Sequence, residues 1–508
     1  MLFPVAAAIC ACLSLLHANA ASALTTAPEI ARPGLQWFNV AAPIPISSLR
    51  GRYVILDFWT EGCINCIHII PILRGIENQF PEQVAVIGVH SPKFAEEKNA
   101  SSVQDAIRRY EIHHPIVHDP EMSIWREYGV EAWPTLVIIR PDGMVLGKLA
   151  GEPDPVAFPK AVADLVAGAG KSGDLKPARL ALKLEDEPKG RFLFPGKLKR
   201  IPGATPQWAL ADAGHNQIVL IDDAGHDVRR YGSGAAGFRD GDAAAATFDH
   251  PQGLVASNNA IFVADTGNHA IRKIELKSGA VVTLAGNGQR GSTLTKEPQA
   301  GRTTSLASPW DLEKQGERVF FANAGTHQIG VLDLNTGSVA RLAGSGAEDL
   351  LQGSAERAAF AQPSGLLLSA DSSTLYVADS ESSSIRAVSS KDGGTTTLVG
   401  AGLFDFGKTN GPFDAARLQH PLGLAIDGDR IIVADTYNNR IRTLDLTHKV
   451  VSEFDGGKFT CTDPICYPLR EPAGIVVASA DRLLLVDTGN QRIEEYRPST
   501  KTSRTWAR

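Results

Sequence analysis

Six copies of one short pattern constrain the fold of the C-terminal part of this chain. Each copy begins with Asp or Asn and ends with Ile six residues later, and successive copies are spaced by 52 to 58 residues. The six copies begin at Asp212, Asp265, Asn323, Asp379, Asp435 and Asp487. A proline that opens an apolar run lies about 14 to 17 residues before each copy. Six repeats of this length, each with four short predicted strands, are typical of a six-bladed β-propeller.

The composition limits the possible classes of function. The chain has 508 residues, of which 43% are hydrophobic and 21% charged, as is ordinary for a globular protein with two or more domains. The net charge of −6 gives no basic surface of the kind that binds nucleic acid. We therefore expect a multidomain protein with no nucleic-acid partner.

Two cysteines near the N-terminus carry the clearest chemical signal. Cys63 and Cys66 follow the apolar run 54–59 at the predicted start of a helix. Unpaired N–H groups and the helix dipole favour thiolate over thiol at such a position. Two thiols at this spacing can exchange between dithiol and disulfide. A partner motif for a zinc site does not follow nearby, so the pair predicts redox chemistry.

The surroundings of the cysteines resemble those of thioredoxin-fold proteins. The run Asp-Phe-Trp-Thr-Glu-Gly-Cys-Ile-Asn-Cys, residues 57–66, resembles their active-site strand and turn, and Trp133-Pro134-Thr135 resembles their cis-proline loop. Pro71 matches the proline that kinks the first helix. Gly62 departs from the usual aromatic residue, and Ile64-Asn65 replace the common Gly-Pro, so the resemblance does not assign the direction of electron flow.

The resemblance implies a role for each matching residue. Cys63 is the attacking thiolate and Cys66 the resolving thiol, Asp57 is a buried proton acceptor acting through water, and Pro134 shapes the substrate groove. We expect no cofactor other than the Cys63–Cys66 disulfide itself. We also expect the sulfurs to be open to a visiting protein and Trp133–Pro134 to be cis; buried sulfurs or a trans bond would leave only a scaffold.

The chain is predicted to contain a signal, two domains and a linker. Residues 32–165 are predicted to hold strands at 54–59, 84–89, 136–139 and 145–149, a turn at 141–143 and helices at 103–110 and 123–128. With its long segment from His90 to Val130, this region resembles the thioredoxin-like domains of the TlpA/ResA type. Residues 166–190 are a linker with one short strand at 178–184. His113, His114 and His118 have no carboxylate or thiol at ligand spacing and are expected at the surface and not at a metal site. His68, two residues after Cys66, could tune the thiols, but an exposed helix position is expected.

The repeats of residues 191–508 resemble NHL repeats. The whole chain resembles the NHL repeat-containing protein 2 family, as a bacterial exported member. The resemblance implies an α/β thioredoxin-like fold followed by an all-β six-bladed NHL β-propeller.

Export is predicted from residues 1–23, which carry no charge, are apolar through Leu16 and end in small-residue cleavage patterns. This segment is either a cleaved secretory signal or a retained anchor, and we expect no membrane span in the mature chain. We expect a periplasmic or secreted protein. In that oxidising compartment, Cys461 and Cys466 are predicted to form a structural disulfide.

The propeller is expected to be a binding surface. The repeated Asp is interpreted as a cap of its own tight turn, and the repeated Gly as a residue with positive φ. Long loops at 286–308, 344–362 and 400–419 gather on one rim, where they would bind an unknown protein or glycan. The residues before the six leading prolines include His250, His420 and Glu471, which would face the channel and could hold a metal.

Three hypotheses follow. The first is an exported thiol–disulfide oxidoreductase that acts on a protein thiol or disulfide, with a propeller that recruits the partner. The alternative is a binding propeller with a non-catalytic thioredoxin-like domain. The third is a metal-dependent propeller enzyme.

Overall fold

A computed structural model describes residues 25–186, 189–203, 205–457 and 459–508. The chain divides into two compact units, residues 1–187 and 188–508. The predicted signal, residues 1–23, lies outside the described residues, as do Cys10 and Cys12. Among the described residues, every helix is too short or too polar to cross a bilayer.

The N-terminal unit is a six-stranded sheet with helices on both faces. Its strands are β1 Gln36–Phe38, β2 Tyr53–Trp59, β3 Val84–His90, β4 Ile116–His118, β5 Thr135–Ile139 and β6 Val145–Ala150. Its α-helices are α1 Ile64–Gln79, α2 Ala100–Arg109, α3 Ser123–Glu127 and α4 Ala157–Ser172. The strand order is β1-β4-β3-β2-β5-β6, with β2 parallel to β3 and antiparallel to β5. This is the thioredoxin-like fold that the sequence predicted.

The central position of β2 explains its unbroken apolar sequence. All seven of its residues are buried, because packed layers cover both faces of the sheet. Leu56 and Phe58 contribute to the core on one face, while Ile55 packs with α1 and α4 on the other. Asp57 is therefore a carboxylate placed on a strand with no solvent on either side.

The predicted elements of this unit are confirmed within a few residues, with two additions and two corrections. Strands β1 and β4 were not predicted, since three residues are too few to show a pattern. The first part of the predicted linker is helical, because α4 continues to Ser172. The strand predicted at 178–184 was wrong: residues 173–186 contain neither helix nor strand, although Lys176 and Ala178 donate backbone bonds to Gly51 and Glu82.

The C-terminal unit is a ring of six mainly antiparallel sheets, blades 1 to 6. Blade 1 consists of Pro195–Ile201, Gln207–Asp212, Gln217–Asp222 and Asp227–Tyr231. Blade 2 consists of Gly253–Ala256, Ala260–Asp265, Ala270–Glu275 and Val281–Ala285. Blade 3 consists of Pro309–Gln315, Arg318–Asn323, Gln328–Asp333 and Ser338–Ala343. Blade 4 consists of Pro363–Leu368, Thr374–Asp379, Ser384–Ser389 and Thr395–Val399. Blade 5 consists of Gly423–Asp427, Arg430–Asp435, Arg440–Asp445 and Val450–Glu453. Blade 6 consists of Pro472–Ser479, Arg482–Asp487, Arg492–Arg497 and Thr502–Ala507.

Neighbouring innermost strands lie side by side, and the innermost strand of blade 6 lies beside that of blade 1, which closes the ring. Thr488 of blade 6 donates a side-chain bond of 2.7 Å to the carbonyl of Pro195. Edge strands Gln299–Ala300, Gly411–Pro412 and Thr460–Cys461 extend blades 3, 5 and 6. The six-bladed propeller predicted from the repeats is confirmed.

The repeated Asp ends the second strand of its blade. Within its own turn its carboxylate accepts from a side chain, as from Asn268 to Asp265 at 2.9 Å, and not from the backbone as the prediction had it. In blade 2, Asp265 accepts from the backbone N of Asp249 at 2.8 Å, in the loop that enters the blade, and from Arg272 at 2.7 Å. The pairs Asp379–Arg386, Asp435–Arg442 and Asp487–Arg492 repeat this arrangement in blades 4, 5 and 6. These buried arginines were missed, although an Arg follows Asp by seven residues in three blades.

The repeated Gly also has a role different from the prediction. A Cβ on Gly267 would lie 2.6 Å from the Asp249 side chain, and Gly214 and Gly489 meet similar obstacles, so glycine permits close approach of the entering loop. Positive φ belongs instead to the residue that follows the turn in each blade: Asn216, His269, His327, Ser383, Asn439 and Gln491. The side chain of Asn216 accepts from the backbone N of His250 at 2.8 Å, which links blade 1 to blade 2.

Candidate active site

The two candidate thiols lie where β2 passes into α1. Cys63 is the N-cap of α1, in extended conformation, and its Sγ accepts a hydrogen bond from the backbone N of Cys66 at 3.3 Å. An N-cap acceptor satisfies one of the backbone donors that a helix start leaves unpaired. Both cysteines are free thiols in this structure. The geometry therefore places the Cys63 sulfur at the helix start, within hydrogen-bond distance of a backbone N–H of α1.

The sulfurs are less accessible than the sequence predicted. Cys63 is 8% exposed and Cys66 1% exposed, and both belong to an apolar cluster with Phe38, Trp59 and Ile70. The prediction of an open sulfur pair was therefore wrong, and of the two conditions stated for a scaffold alone, buried sulfurs are observed whereas a trans Trp133–Pro134 bond is not. Of the two, Cys63 keeps the larger exposed fraction, and it is the residue assigned to attack.

Asp57 lies on β2, six residues before Cys63, and is 2% exposed. Burial raises the pKa of its carboxyl to about 7, and nearby His114 opposes this effect. Its Oδ1 has no hydrogen-bond partner within the described part of the chain. Burial also raises the pKa of the Cys66 thiol, with further contributions from Cys63 and Asp57. Asp57 and Cys66 thus lie close enough to influence each other's protonation.

The predicted cis-proline loop lies at the start of β5. The Trp133–Pro134 bond is cis, as expected. The indole Nε1 of Trp133 donates to the carbonyl of Ser91 at 2.8 Å, and the ring packs against Trp125 with centroids 4.5 Å apart. Trp133 also packs against the apolar cluster that holds both cysteines. The structure thus brings together the Pro134 loop and the thiols.

Several histidines occupy positions that the sequence did not predict. His114 and His118 are buried, and only His113 of that group is exposed. The side chain of His68 is also largely buried, with Nδ1 2.9 Å from Oε1 of Glu152. The expected surface positions of His68, His114 and His118 were wrong because their partners lie far away in sequence.

Two buried histidines, His90 and His118, form an imidazole pair beside Trp59. Nδ1 of His90 lies 3.1 Å from Nδ1 of His118, and Nε2 of His118 is 3.0 Å from the carbonyl of Lys98. A carbonyl only accepts, so Nε2 of His118 carries a proton, and in the neutral pair His90 donates to His118. The His90 ring meets Trp59 edge-on, with centroids 4.9 Å apart. Burial lowers the pKa of both imidazoles.

The channel of the propeller does not assemble the proposed metal ligands. Nδ1 of His250 lies 2.6 Å from the Asp249 carboxylate, and His420 pairs with Glu381 at 3.2 Å and stacks on Tyr437. Among the described residues, no three His, Cys, Asp or Glu side chains form a group suited to a metal ion.

Charged and backbone groups instead cross the channel. Lys199 of blade 1 pairs with Glu313 of blade 3 at 2.6 Å. The ammonium of Lys197 donates to the carbonyls of Leu422 and Ala473, in blades 5 and 6. Burial lowers the pKa of Lys197 to about 8. These bonds join innermost strands from four blades, which is a structural role.

The second cysteine pair lies at the edge of blade 6. Cys461 and Cys466 are joined by a disulfide, with Cα atoms 6.0 Å apart. It closes a short loop between Thr460–Cys461 and the strand that opens the blade. No strand-to-helix turn of the kind that carries Cys63 is formed by these described residues.

Family models match both units. A thioredoxin-like model matches residues 51–145, and an NHL repeat model matches residues 248–274 and 418–444. Thiol-disulfide oxidoreductase ResA of Bacillus cereus is 27% identical over 109 residues, which cover 22% of this chain and 61% of that protein.

Two relatives align with nearly the whole chain. Protein SUPPRESSOR OF QUENCHING 1, chloroplastic, of Arabidopsis thaliana is 39% identical over 498 residues, 92% of this chain, and the chain spans 46% of its length. NHL repeat-containing protein 2 of Homo sapiens is 37% identical over 510 residues, which cover 92% of this chain and 70% of the human protein. Both units and their order are shared along that alignment, so this chain belongs to the NHL repeat-containing protein 2 family.

Proposed function

We propose that this chain is an exported thiol–disulfide oxidoreductase that exchanges its Cys63/Cys66 pair with a protein substrate. The observation that supports this most directly is the N-cap position of Cys63, whose sulfur accepts from the Cys66 backbone N at 3.3 Å. Two free thiols at this spacing, beside a cis-proline loop, are the parts that exchange chemistry needs.

The exchange proceeds in two steps. The Cys63 thiolate attacks one sulfur of a substrate disulfide, forms a mixed disulfide and releases the other substrate sulfur as a thiolate. Cys66 gives its proton to Asp57 through water, attacks Cys63 and releases the second substrate thiolate. The substrate gains two electrons and the Cys63/Cys66 pair loses two; the reverse sequence oxidises a dithiol. A carboxyl with a pKa of about 7 suits proton transfer at neutral pH.

Partner recruitment is assigned to the propeller. Loops 286–308, 344–362 and 400–419 each precede the first strand of a blade, in blades 3, 4 and 5. Long loops at the same place in successive blades support a shared binding surface. The partner is a protein or a glycan. Export is proposed from the uncharged, apolar residues 1–23, and N-terminal sequencing of the protein recovered from the periplasm checks it.

A trapping experiment tests the exchange. In the Cys66→Ser protein, the first step proceeds and the second cannot, so a mixed disulfide with a substrate should accumulate and disappear on reduction. Cys63→Ser, which keeps one thiol of the same pair, is the matched control and should trap nothing. Trapping by Cys63→Ser instead, or no exchange activity in the wild-type protein, contradicts the proposal.

The alternative function, a binding propeller with a non-catalytic thioredoxin-like unit, is favoured by the low exposure of Cys63. Under this alternative, Cys63→Ala retains full partner binding and biological activity, whereas substitutions in the rim loops abolish both. Loss of activity in Cys63→Ala, with the partner still bound, supports the oxidoreductase.

A further inference from the structure

The segment Ser91–Lys98, here called the 91–98 loop, joins the two halves of the thiol site. It follows β3 and precedes α2. The backbone N of Ser91 donates to the carbonyl of Trp59 at 2.9 Å, at the end of the strand that leads to Cys63. The carbonyl of Ser91 accepts from the Trp133 indole at 2.8 Å, directly before the cis-proline. One residue thus connects the strand of the thiols with the Pro134 loop.

A carboxylate from the other end of this loop is directed at the thiol turn. Glu97 is 0% exposed. Its Oε2 accepts from the backbone N of Lys93 at 2.7 Å and of Phe94 at 2.8 Å, which fixes the carboxylate within its own loop. Its Oε1 accepts from the backbone N of Gly62 at 3.1 Å. Gly62 is the residue directly before Cys63.

Deepening the oxidoreductase function on which it rests, we propose that Glu97 is a positioning residue that holds the turn before Cys63 and sets the stability of the Cys63 thiolate. A carboxylate that accepts three backbone N–H bonds is held in its charged form. The charge lies one peptide from Cys63, where it opposes the stabilisation that the helix start gives to a thiolate. Glu97 therefore disfavours the Cys63 thiolate as a leaving group and makes the Cys63/Cys66 dithiol a stronger reductant of substrate than the helix start alone would allow.

A glutamine at position 97 would keep the hydrogen bonds to Lys93 and Phe94 and lose the one to Gly62. Its single carbonyl oxygen can still accept from Lys93 and Phe94, but its NH₂ group then faces the N–H of Gly62, and two donors cannot bond. Glu97→Gln thus removes the charge and the bond to Gly62 while it keeps the loop bonds. Glu97→Asp keeps the charge. Glu96→Gln, which removes the same charge from the neighbouring residue, is the matched control.

Two measurements on the full chain test the proposal: the equilibrium of the Cys63/Cys66 pair with reduced and oxidised glutathione, and the pH profile of Cys63 alkylation by iodoacetamide. Glu97→Gln should shift the equilibrium about tenfold toward the dithiol, or about 30 mV for two electrons, and move the alkylation midpoint to lower pH. The equilibrium constant of Glu97→Asp should stay within about threefold of the wild-type value, and that of Glu96→Gln should equal the wild-type value.

A Glu97→Gln protein with wild-type values, or equal shifts in Glu97→Gln and Glu97→Asp, overturns the proposal. If Glu97→Gln does not fold, hydrogen exchange of the Gly62 amide in the wild-type protein decides: slow exchange supports the bond, and exchange at the rate of a free peptide overturns it. Failure of the trapping experiment would remove the proposed function, whereas the alkylation profile would still report on Glu97.

Discussion

The two units bury aspartates in opposite ways. In blade 5 of the propeller, Asp435 accepts from the backbone N of Gln419 at 2.7 Å, from Asn438 at 2.8 Å and from Arg442 at 3.0 Å. In the thioredoxin-like unit, Asp57 is buried to the same degree, but its Oδ1 has no hydrogen-bond partner among the described residues. Burial raises the pKa of Asp435 to about 6 and that of Asp57 to about 7.

The difference separates structural from chemical use of a buried charge. A carboxylate with several donors and an arginine fixes the geometry of a blade, and this arrangement recurs in blades 2, 4, 5 and 6. A buried carboxyl with an oxygen that lacks a donor costs stability, so its presence points to a role in proton transfer. The same residue type, at the same burial, therefore predicts structure in one unit and chemistry in the other.

The largest expected effect comes from removing the paired aspartate. Asp435→Ala removes the nearer carboxylate from Arg442, which is fully buried, and leaves it only Glu453 at 4.0 Å, so the propeller should lose about 3–5 kcal/mol of stability. The urea unfolding transition of the propeller measures this. Asp429→Ala, on an exposed residue of the same blade, is the control and should change stability by less than about 0.5 kcal/mol.

Blade 3 suggests a test of the charge itself. It has Asn323 and Gly330 at the positions of Asp435 and Arg442, and the Phe321 ring occupies the space beside Gly330. The fold thus accepts a neutral pair. Asp435→Asn combined with Arg442→Met should lose much less stability than Asp435→Ala; an equal loss would show that shape, and not charge, is what the pair supplies.

Asp57→Asn should have the opposite effect and stabilise the folded protein. Its pKa is near 3.8 in the unfolded chain and about 7 in the folded protein, so the folded state binds more protons between these values and loses stability as pH rises through them. The variant removes that loss and should be more stable by roughly 2–4 kcal/mol at pH 8.5, with little difference at pH 4. Urea unfolding at both pH values measures the effect, and an equal change at both would contradict a raised pKa.

The sequence predicted those parts of the molecule that local pattern specifies. The apolar run of β2, the Cys63-x-x-Cys66 spacing and the six anchors each lie within one short segment, so periodicity and spacing were enough. Glu97 lies 35 residues from Gly62, and His90 lies 28 residues from His118. Such partners meet only through the pairing of β3 with its neighbours, which single residue types do not encode.

The repeated aspartates show the same limit in a different form. Their repetition predicted a structural role, and that role is present. One donor is a side chain of the same turn, but the others come from a loop about 16 residues upstream and from an arginine on the next strand. The prediction of a self-capped turn therefore gave the structural role of the residue but missed most of its partners.

The smallest expected effect on stability comes from the buried imidazole pair of His90 and His118, which are bases where the preceding groups are acids. Burial holds the pKa of His90 well below 6.5 and lowers that of His118, while Asp119 and the Lys98 carbonyl oppose the shift at His118. Below pH 6.5 the unfolded chain therefore binds more protons than the folded one, and stability falls as pH falls. We expect a loss of about 1–2 kcal/mol between pH 6.5 and 5.5.

His90→Phe keeps an aromatic ring beside Trp59 and removes one titrating group, so it should flatten this pH dependence by about half, whatever its effect on stability at pH 8. His113→Asn, on the exposed histidine nearby, should leave the slope unchanged. Urea unfolding across this pH range measures both slopes. Equal slopes in the wild-type and His90→Phe proteins would mean that His90 binds its proton as readily in the folded protein as in the unfolded chain, which contradicts a lowered pKa of His90.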